Sequence, residues 1–356
     1  MTISHLLKTT KIYLETDVYP RSNEIDFSPE LLYQALDGLG KLGVLTLRVS
    51  QQWGGIGMTS ETFVQFQELV ARYSGALAFL QTQHQSASAM LMQSSNTQLQ
   101  EVYLPKMSDG KIKIGVGFSQ IRRTGNPTIT AIPVEGGYHI NGYVPWVSGW
   151  QIFDQFIVAA TLADGQAVFG LVPFQNSEQI SFSQPMSLCA MTSTNTVTAT
   201  LNHWFLPAEK VVSIQPIDWI HQRDQKNALP ASFLALGCAK AGLDILETVF
   251  EQKKFIFIQD ATELLNQELN QCRAIIQKAQ QNSNLDIDQK YQLRAWAIDL
   301  ALRCAHAAVT SSSGGANLSH HHAQRVYREA LVFTVSGQNQ SLMAATLNRL
   351  SRQSSL

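Results

Sequence analysis

The chain is short of charge. Charged residues fill 15% of its 356 positions, well below the usual level of about a quarter. The formal net charge is −1, which excludes a globally basic nucleic-acid binder. No apolar run reaches the length of about eighteen residues needed to span a bilayer. The opening MTISHLLKTTKIYLETDVYP is broken by Lys8, Lys11, Glu15 and Asp17 and has no apolar signal core. Cys189, Cys238, Cys272 and Cys304 form no CxxC pair, which predicts free buried thiols in a reducing compartment. No metal site is expected: His320, His321 and His322 are adjacent on a helix start, face different ways, and have no carboxylate or thiol at ligand spacing. These absences together predict a soluble cytoplasmic protein without nucleic-acid or membrane partners.

What is present is a 45% apolar fraction, enough for a sizeable core, arranged in three textures. Residues 1–112 read as an N-terminal helical domain. Leu31, Leu32, Ala35, Leu36, Leu39 and Leu42 recur at helical spacing. A glycine turn, QQWGGIGMTS, then leads to Thr59 and Ser60 as N-caps of a long helical run broken near Gly75. Two or three helices are expected there.

Residues 113–211 read as a middle β domain of five or more short antiparallel strands, a barrel or sandwich. Gly136-Gly137 and Asp164-Gly165 supply hairpin signals, since tight hairpin turns need positive φ. Residues 212–356 return to helical period and predict a four-helix bundle. Its parts are the almost wholly apolar Ala231–Phe250, stripes through Ala261–Ile276 and Leu293–Ala307, and a fourth helical region from Ala323 to Leu350. The fold class is α+β.

That order resembles the acyl-CoA dehydrogenase family, and local motifs carry the resemblance along most of the chain. LGKLGVLTLRVSQQWGGIGMTSE is similar to the family's glycine-rich approach to its second helix. ELVARYSGALAF with YLPKMSDGK is similar to the helix and hinge before its β domain. GGYHINGYVPWVSG, FLPAEKVV and AQRVYREA are similar to its strand pair, its exit from the β domain and its C-terminal arginine helix.

The resemblance implies FAD bound between β domain and bundle, with a neighbouring subunit contributing, in a homodimer or homotetramer. Phe118-Ser119-Gln120 takes the place of a Leu-Thr-Glu strand end, and Trp146-Val147-Ser148 that of Trp-Ile-Thr. Ser119 and Ser148 keep hydroxyls for the flavin edge, and Trp146 keeps the aromatic wall. The alternative is that Trp146 and Trp150 simply pack on a sheet. Gly314 and Gly315 match a glycine pair that lets backbone approach the dinucleotide, with Arg325 on the following helix. From Lys290 onward there are seven basic residues (Lys290, Arg294, Arg303, Arg325, Arg328, Arg349, Arg352) against Asp299 and Glu329. This excess suits an anionic cofactor or CoA phosphate, or else a solvated helix face. Glu329 is expected to be a structural ion-pair partner.

Two departures stand out. The family's Arg-x-x-Phe-Gly segment is EQKKFIFIQ here; Phe255 matches, while Lys253 or Lys254 is left to supply charge without the arginine fork. The catalytic glutamate is also missing. Ser336 occupies its position, no Asp or Glu follows Glu329, and the other glutamate site in the family falls on NALPASFLALG. His84 is the candidate substitute, as base or as carbonyl-orienting group, against the alternative of a hydrogen-bonded helix histidine. Asp218 and Asp224, in IDWIHQRD, are placed near the cavity mouth. The resulting expectation is an FAD-dependent oxidoreductase acting on a CH–CH bond of an acyl-CoA or related thioester, its base unidentified. The alternatives are a flavin-dependent monooxygenase on the same fold and a non-catalytic acyl- or flavin-binding paralogue.

Overall fold

The computed structural model describes residues 2–282 and 284–351. Arg352, counted above among the basic residues, lies outside them. Six helices precede the first strand: α1 (Ile3–Tyr13), α2 (Ser22–Ile25), α3 (Pro29–Lys41), α4 (Ser60–Tyr73), α5 (Gly75–Met92) and α6 (Thr97–Ser108). Five of the six begin at a side-chain cap, from Thr2, Ser28, Thr59, Ser74 and Asn96, each satisfying an otherwise orphaned N–H. Thr59 is the cap expected from sequence. Ser74 ends α4 with its own N–H on Val70 O and starts α5 with its hydroxyl, so one residue forms the elbow. α1 escaped the sequence reading because its charges lie outward while only Leu6 and Thr10 are buried.

Eight strands follow: β1 (Ile114–Gly117), β2 (Ile129–Val134), β3 (Gly137–Val147), β4 (Gln155–Thr161), β5 (Ala167–Pro173), β6 (Ile180–Phe182), β7 (Val197–Pro207) and β8 (Val211–Gln215). They form one sheet in the order β6-β7-β3-β2-β4-β5-β8, with β1 joined to β4. Gly136 (φ 78°) and Gly165 (φ 85°) make the hairpin turns β2–β3 and β4–β5. Five of the seven ladders are antiparallel. The other two are parallel, β1 with β4 over Ile114–Gly117 and β2 with β4 at Thr130 and Thr161, so the sheet is mixed. Parallel pairing leaves no turn signal in the sequence, which is why an all-antiparallel sheet was expected.

The remaining helices are α7 (Trp219–Lys226), α8 (Ser232–Lys253), α9 (Ile256–Gln281), α10 (Ile287–Ser312), α11 (His322–Val335) and α12 (Gln340–Leu350). The fourth helical region expected from 323 to 350 is thus two helices, parted where Gly337 takes φ 61°. α8 is the central rod. A Cβ on Gly237 would lie 2.3 Å from Glu68 O of α4, and one on Gly242 would lie 2.7 Å from the Cys304 carbonyl of α10. Backbone therefore touches backbone on both sides.

The apolar core does not follow the three textures. One cluster runs from Leu6 of α1 to Ala345 of α12. A second joins α5 and α6 to β1, β4 and β5, and a third fills the sheet. No helix among the described residues is long and apolar enough to cross a membrane.

A buried ionic knot crosses this core. Glu329 pairs with Arg325 at 2.7 Å, both side chains 1% exposed. Glu329 also accepts the Gly75 N–H at 3.0 Å, and Arg325 Nε donates to Asn23 Oδ1 at 3.0 Å. One turn along, Arg328 donates to Asp26 at 2.6 Å and to Cys189 O. Removing one partner of a buried ion pair strands the other charge, at a cost of about 3–5 kcal/mol. Glu329→Ala should therefore lower the urea unfolding free energy by about that amount; an unchanged midpoint would refute the role.

Candidate active site

The expected site residues fall into two separate groups. The first lies where β1 ends in a 3₁₀ turn, Ser119–Arg122, that packs on β3. The Phe118 ring is 6% exposed, edge-on to Phe169 and Trp219, so only its backbone is available to a ligand. Ser119 is partly exposed and its hydroxyl makes no hydrogen bond within the described chain. Strand alternation turns Val147 into the sheet core and leaves Trp146 48% exposed. Trp146 is therefore no core residue, whereas Trp150 packs on Phe174 and Phe182. Ser148 is 8% exposed, with its hydroxyl 2.7 Å from that of Thr196. Gln120, also buried, donates to Ala159 O.

The second group sits at the turn Ser313–Asn317. Gly314 is exposed, and a Cβ built there would meet nothing within 4 Å. Gly315 is equally open, with only the His321 ring near 4 Å. Internal packing therefore does not require either glycine, and the open backbone fits an external group. Lys253 Nζ donates to Ser311 O (2.6 Å) and Ser313 Oγ (3.0 Å), bringing a cation to this turn. Lys254 instead pairs with Glu251 on the surface. A cavity of about 690 Å³ opens alongside, lined by Lys253, Phe255, Phe257, His306, Ser313 and Tyr327. Arg325 does not belong here: it is 1% exposed and committed to Glu329 and Asn23. Nothing joins the two groups directly within one chain among the described contacts.

The basic excess is mostly neutralised by acids from other elements. Arg303 and Arg349 share Glu268 and Asp299, and Arg328 takes Asp26. Arg294 of α10 is different. It is 6% exposed, donates to the Ser336 carbonyl at 2.7 Å, and has no carboxylate of the described residues within ion-pair distance. Burial, the dominant influence, pulls its pKa down to about 10. The acid within its electrostatic reach, Asp224, is clamped by Arg122 at 2.8 and 2.7 Å. Asp218, by contrast, sits exposed at the start of α7 and accepts from Gln222.

Arg223, beside Asp224, stacks over Phe118 (5.3 Å) and Trp219 (5.2 Å). It too is pulled down to about 10, first by burial and then by Arg122. Phe118, Arg122 and α7 thus form one neighbourhood, while Arg294 is hydrogen-bonded to Ser336 O at the end of α11. Sequence reading missed Arg122 and Arg223 and counted Arg294 only as one of the basic residues, because which of them meets an acid is a property of three dimensions. Asp224 in IDWIHQRD was the one local pointer.

His84 is not arranged as a base. It is fully buried on α5, and its Nδ1 accepts the Ile114 N–H at 3.0 Å. The proton of the neutral ring is therefore on Nε2 and no lone pair remains free. Its role is to tie α5 to β1.

Residues 3–111 match the family model of the acyl-CoA dehydrogenase N-terminal domain. Over 218 residues, 58% of the chain, the sequence is 26% identical to the mitochondrial isovaleryl-CoA dehydrogenase of Pongo abelii, of which the alignment spans about half (52%). The butyryl-CoA dehydrogenase structure from Megasphaera elsdenii superposes with a TM-score of 0.82 at 17% identity, covering 99% of each chain. A Mycobacterium smegmatis glutaryl-CoA dehydrogenase solved in complex with FADH2 gives 0.83 at 14% identity, covering 98% of this chain and 94% of that one. The helical–sheet–helical architecture is the acyl-CoA dehydrogenase fold. The family model over the N-terminal domain and the curated relative point to the acyl-CoA dehydrogenase family, and the solved structures show its fold.

Burial holds the pKa of His84 down at about 4, and that of His322 likewise. Below the ordinary value of 6.5 the unfolded chain takes up protons that the folded one refuses, so stability falls as pH drops from about 6.5 towards 4. His84→Gln should remove one of these two contributions. Unfolding midpoints measured between pH 7 and 4.5 should then decline less steeply than in the parent; an identical slope would show that His84 is not held neutral.

Proposed function

We propose that the protein is an FAD-dependent oxidoreductase of the acyl-CoA dehydrogenase type, acting in the cytoplasm on a CH–CH bond of an acyl thioester. The observation that carries this reading is the strand-end group: a half-exposed Trp146 beside the turn that presents the unengaged Ser119 hydroxyl, on a fold matched along nearly the whole chain. An isoalloxazine needs polar partners along one edge and an aromatic wall that excludes water. Ser119, Ser148, Trp146 and the backbone of Phe118 and Val147 would supply these. The open backbone at Gly314 and Gly315, with the Lys253 ammonium, would take a pyrophosphate.

FAD would contribute the hydride acceptor. Because the two groups stay apart within one chain, we assign the bundle turn to the cofactor of a neighbouring subunit, in a homodimer or homotetramer. Phe255, Ile256, Phe257 and Leu264, 49–68% exposed around the start of α9, offer an apolar face for that contact.

The Ser336 carbonyl beneath Arg294 favours a second reading, binding without turnover. An α-proton base must be a carboxylate whose pKa is raised by its surroundings, and the acid in this neighbourhood, Asp224, is tied to Arg122.

The purified protein, as isolated or after incubation with FAD, should show the absorption bands of bound flavin, and acid should release FAD. Lys253→Ala should weaken retention about tenfold, as expected for one charge-assisted contact. Anaerobic bleaching by butyryl-CoA would establish dehydrogenation, and flavin binding without bleaching would favour the second reading. A colourless protein that takes up no FAD would sink the flavoprotein assignment.

A further inference from the structure

We propose that Thr194 and Thr196 are positioning residues for the flavin. Through a chain of hydroxyls they draw the Ser148 proton away, so that Ser148 offers the cofactor lone pairs only. This rests on the flavoprotein reading, in which Ser148 stands at the isoalloxazine edge, and adds which redox state that edge favours.

The direction of the chain follows from counting protons. The Thr194 hydroxyl lies 2.8 Å from Met191 O. A carbonyl can only accept, so Thr194 spends its single O–H there. In the Thr194–Thr196 contact at 3.1 Å the donor must then be Thr196. Thr196 has no proton left for the Ser148 hydroxyl 2.7 Å away, and Ser148 is the donor in that contact. What remains on Ser148 is acceptor capacity alone.

The anchor of the chain is fixed from outside. Met191 N–H donates to Asp26 Oδ1 at 2.7 Å and Ser193 N–H to Asp26 O at 3.0 Å, while Arg328 holds the Asp26 carboxylate. Gly149 N–H donates to Thr194 O at 2.7 Å and Trp150 N–H to Asn195 O at 3.2 Å, tying the loop to the residues that follow Ser148. Met191 and Asn195 both take left-handed backbone, φ 55° and 44°, a conformation that persists in non-glycine residues only where surrounding contacts impose it. Thr194, Thr196 and Ser148 are at most 8% exposed, so bulk water does not compete for their protons.

Hydrogen bonds to ring nitrogens tune a flavin's electronics. N5 is an acceptor in the oxidised ring and an N–H donor once two electrons and two protons have been taken up. An acceptor-only Ser148 would oppose the lone pair of oxidised N5 and receive the N–H of the reduced form. Ser148 therefore favours the reduced cofactor, the state left after hydride and a proton leave a CH–CH bond.

The test is the midpoint potential of the FAD-loaded protein, measured by dithionite titration against a reference dye. Thr196→Val keeps the shape, removes the relay and frees the Ser148 proton to turn towards the flavin. The ratio of reduced to oxidised affinity should fall about tenfold, as for one hydrogen bond reversed, which is about 30 mV for a two-electron couple. Thr194→Val should act in the same direction from the far end of the chain, so a Thr196→Val protein that misfolds does not obscure the result. Thr196→Ser, which keeps the hydroxyl, should retain the parent potential. In a Ser148→Ala background Thr196→Val should have no further effect, because the group it acts through is gone.

A merely structural Thr196 would change the urea unfolding midpoint and leave the potential where it was. An unchanged or raised potential in both valine variants, or a fall that persists in the Ser148→Ala background, would overturn the relay and leave the flavoprotein reading standing. A parent protein that takes up FAD in neither redox state would refute both.

Discussion

The Arg325–Glu329 pair is the contact on which the rest of the arrangement depends. It lies where three parts of the chain converge: Glu329 holds the first N–H of α5, Arg325 reaches Asn23 in α2, and Arg328 takes Asp26. Asp26 in turn accepts the Met191 N–H from the loop between β6 and β7. Hydrophobic burial supplies most of the driving force for a core this size, but it is non-directional. The ionic knot adds direction, since each guanidinium and carboxylate accepts only one relative placement of α2, α5, α11 and the sheet. Arg325, expected from sequence to face a cofactor, is spent on this framework.

That commitment changes the electrostatic picture of the bundle. A local excess of arginine looks like a positive surface only while its counter-ions are ignored. Glu268, Asp299, Asp26 and Glu329 absorb most of it. What survives is specific: Arg294 at the Ser336 turn and Arg223 against the aromatic wall, together with Lys253 at the glycine turn. A carboxylate standing at Ser336 would be held ionised by the neighbouring guanidinium, the opposite of what a proton-abstracting base needs.

Much of this was legible in the sequence where the determinants are local. Thr59 marked a cap and Gly75 a break; Gly136 and Gly165 marked turns; the apolar run through α8 marked the central rod. The parallel β1–β4 pairing was not legible, because nothing near residue 114 points to residue 155. The break at Gly337 was hidden by apolar spacing that continues on both sides of it. In the site, Ser119, Trp146, Gly314 and Lys253 could be named from motif order, and the structure leaves each of them exposed or at an open turn. Both readings of His84 were open in LQTQHQSAS, and only the fold shows the hydrogen-bonded helix histidine, buried and tied to Ile114. Arg294 read as one more basic residue in a helical stripe, since only the fold shows that no acid comes to meet it.

The glycines of α8 carry a lesson for interpreting variation. Gly237 and Gly242 press directly on the backbones of α4 and α10, far from any hydroxyl, indole or guanidinium assigned to a ligand. Any side chain there would force three helices apart. In a survey of tolerated substitutions these two positions would look as immutable as an active-site residue, while Gly314, open on every side, would accept alanine freely in the apoprotein. Sequence constancy in this chain would therefore map helix spacing as faithfully as chemistry, and only selection for ligand binding would separate the two.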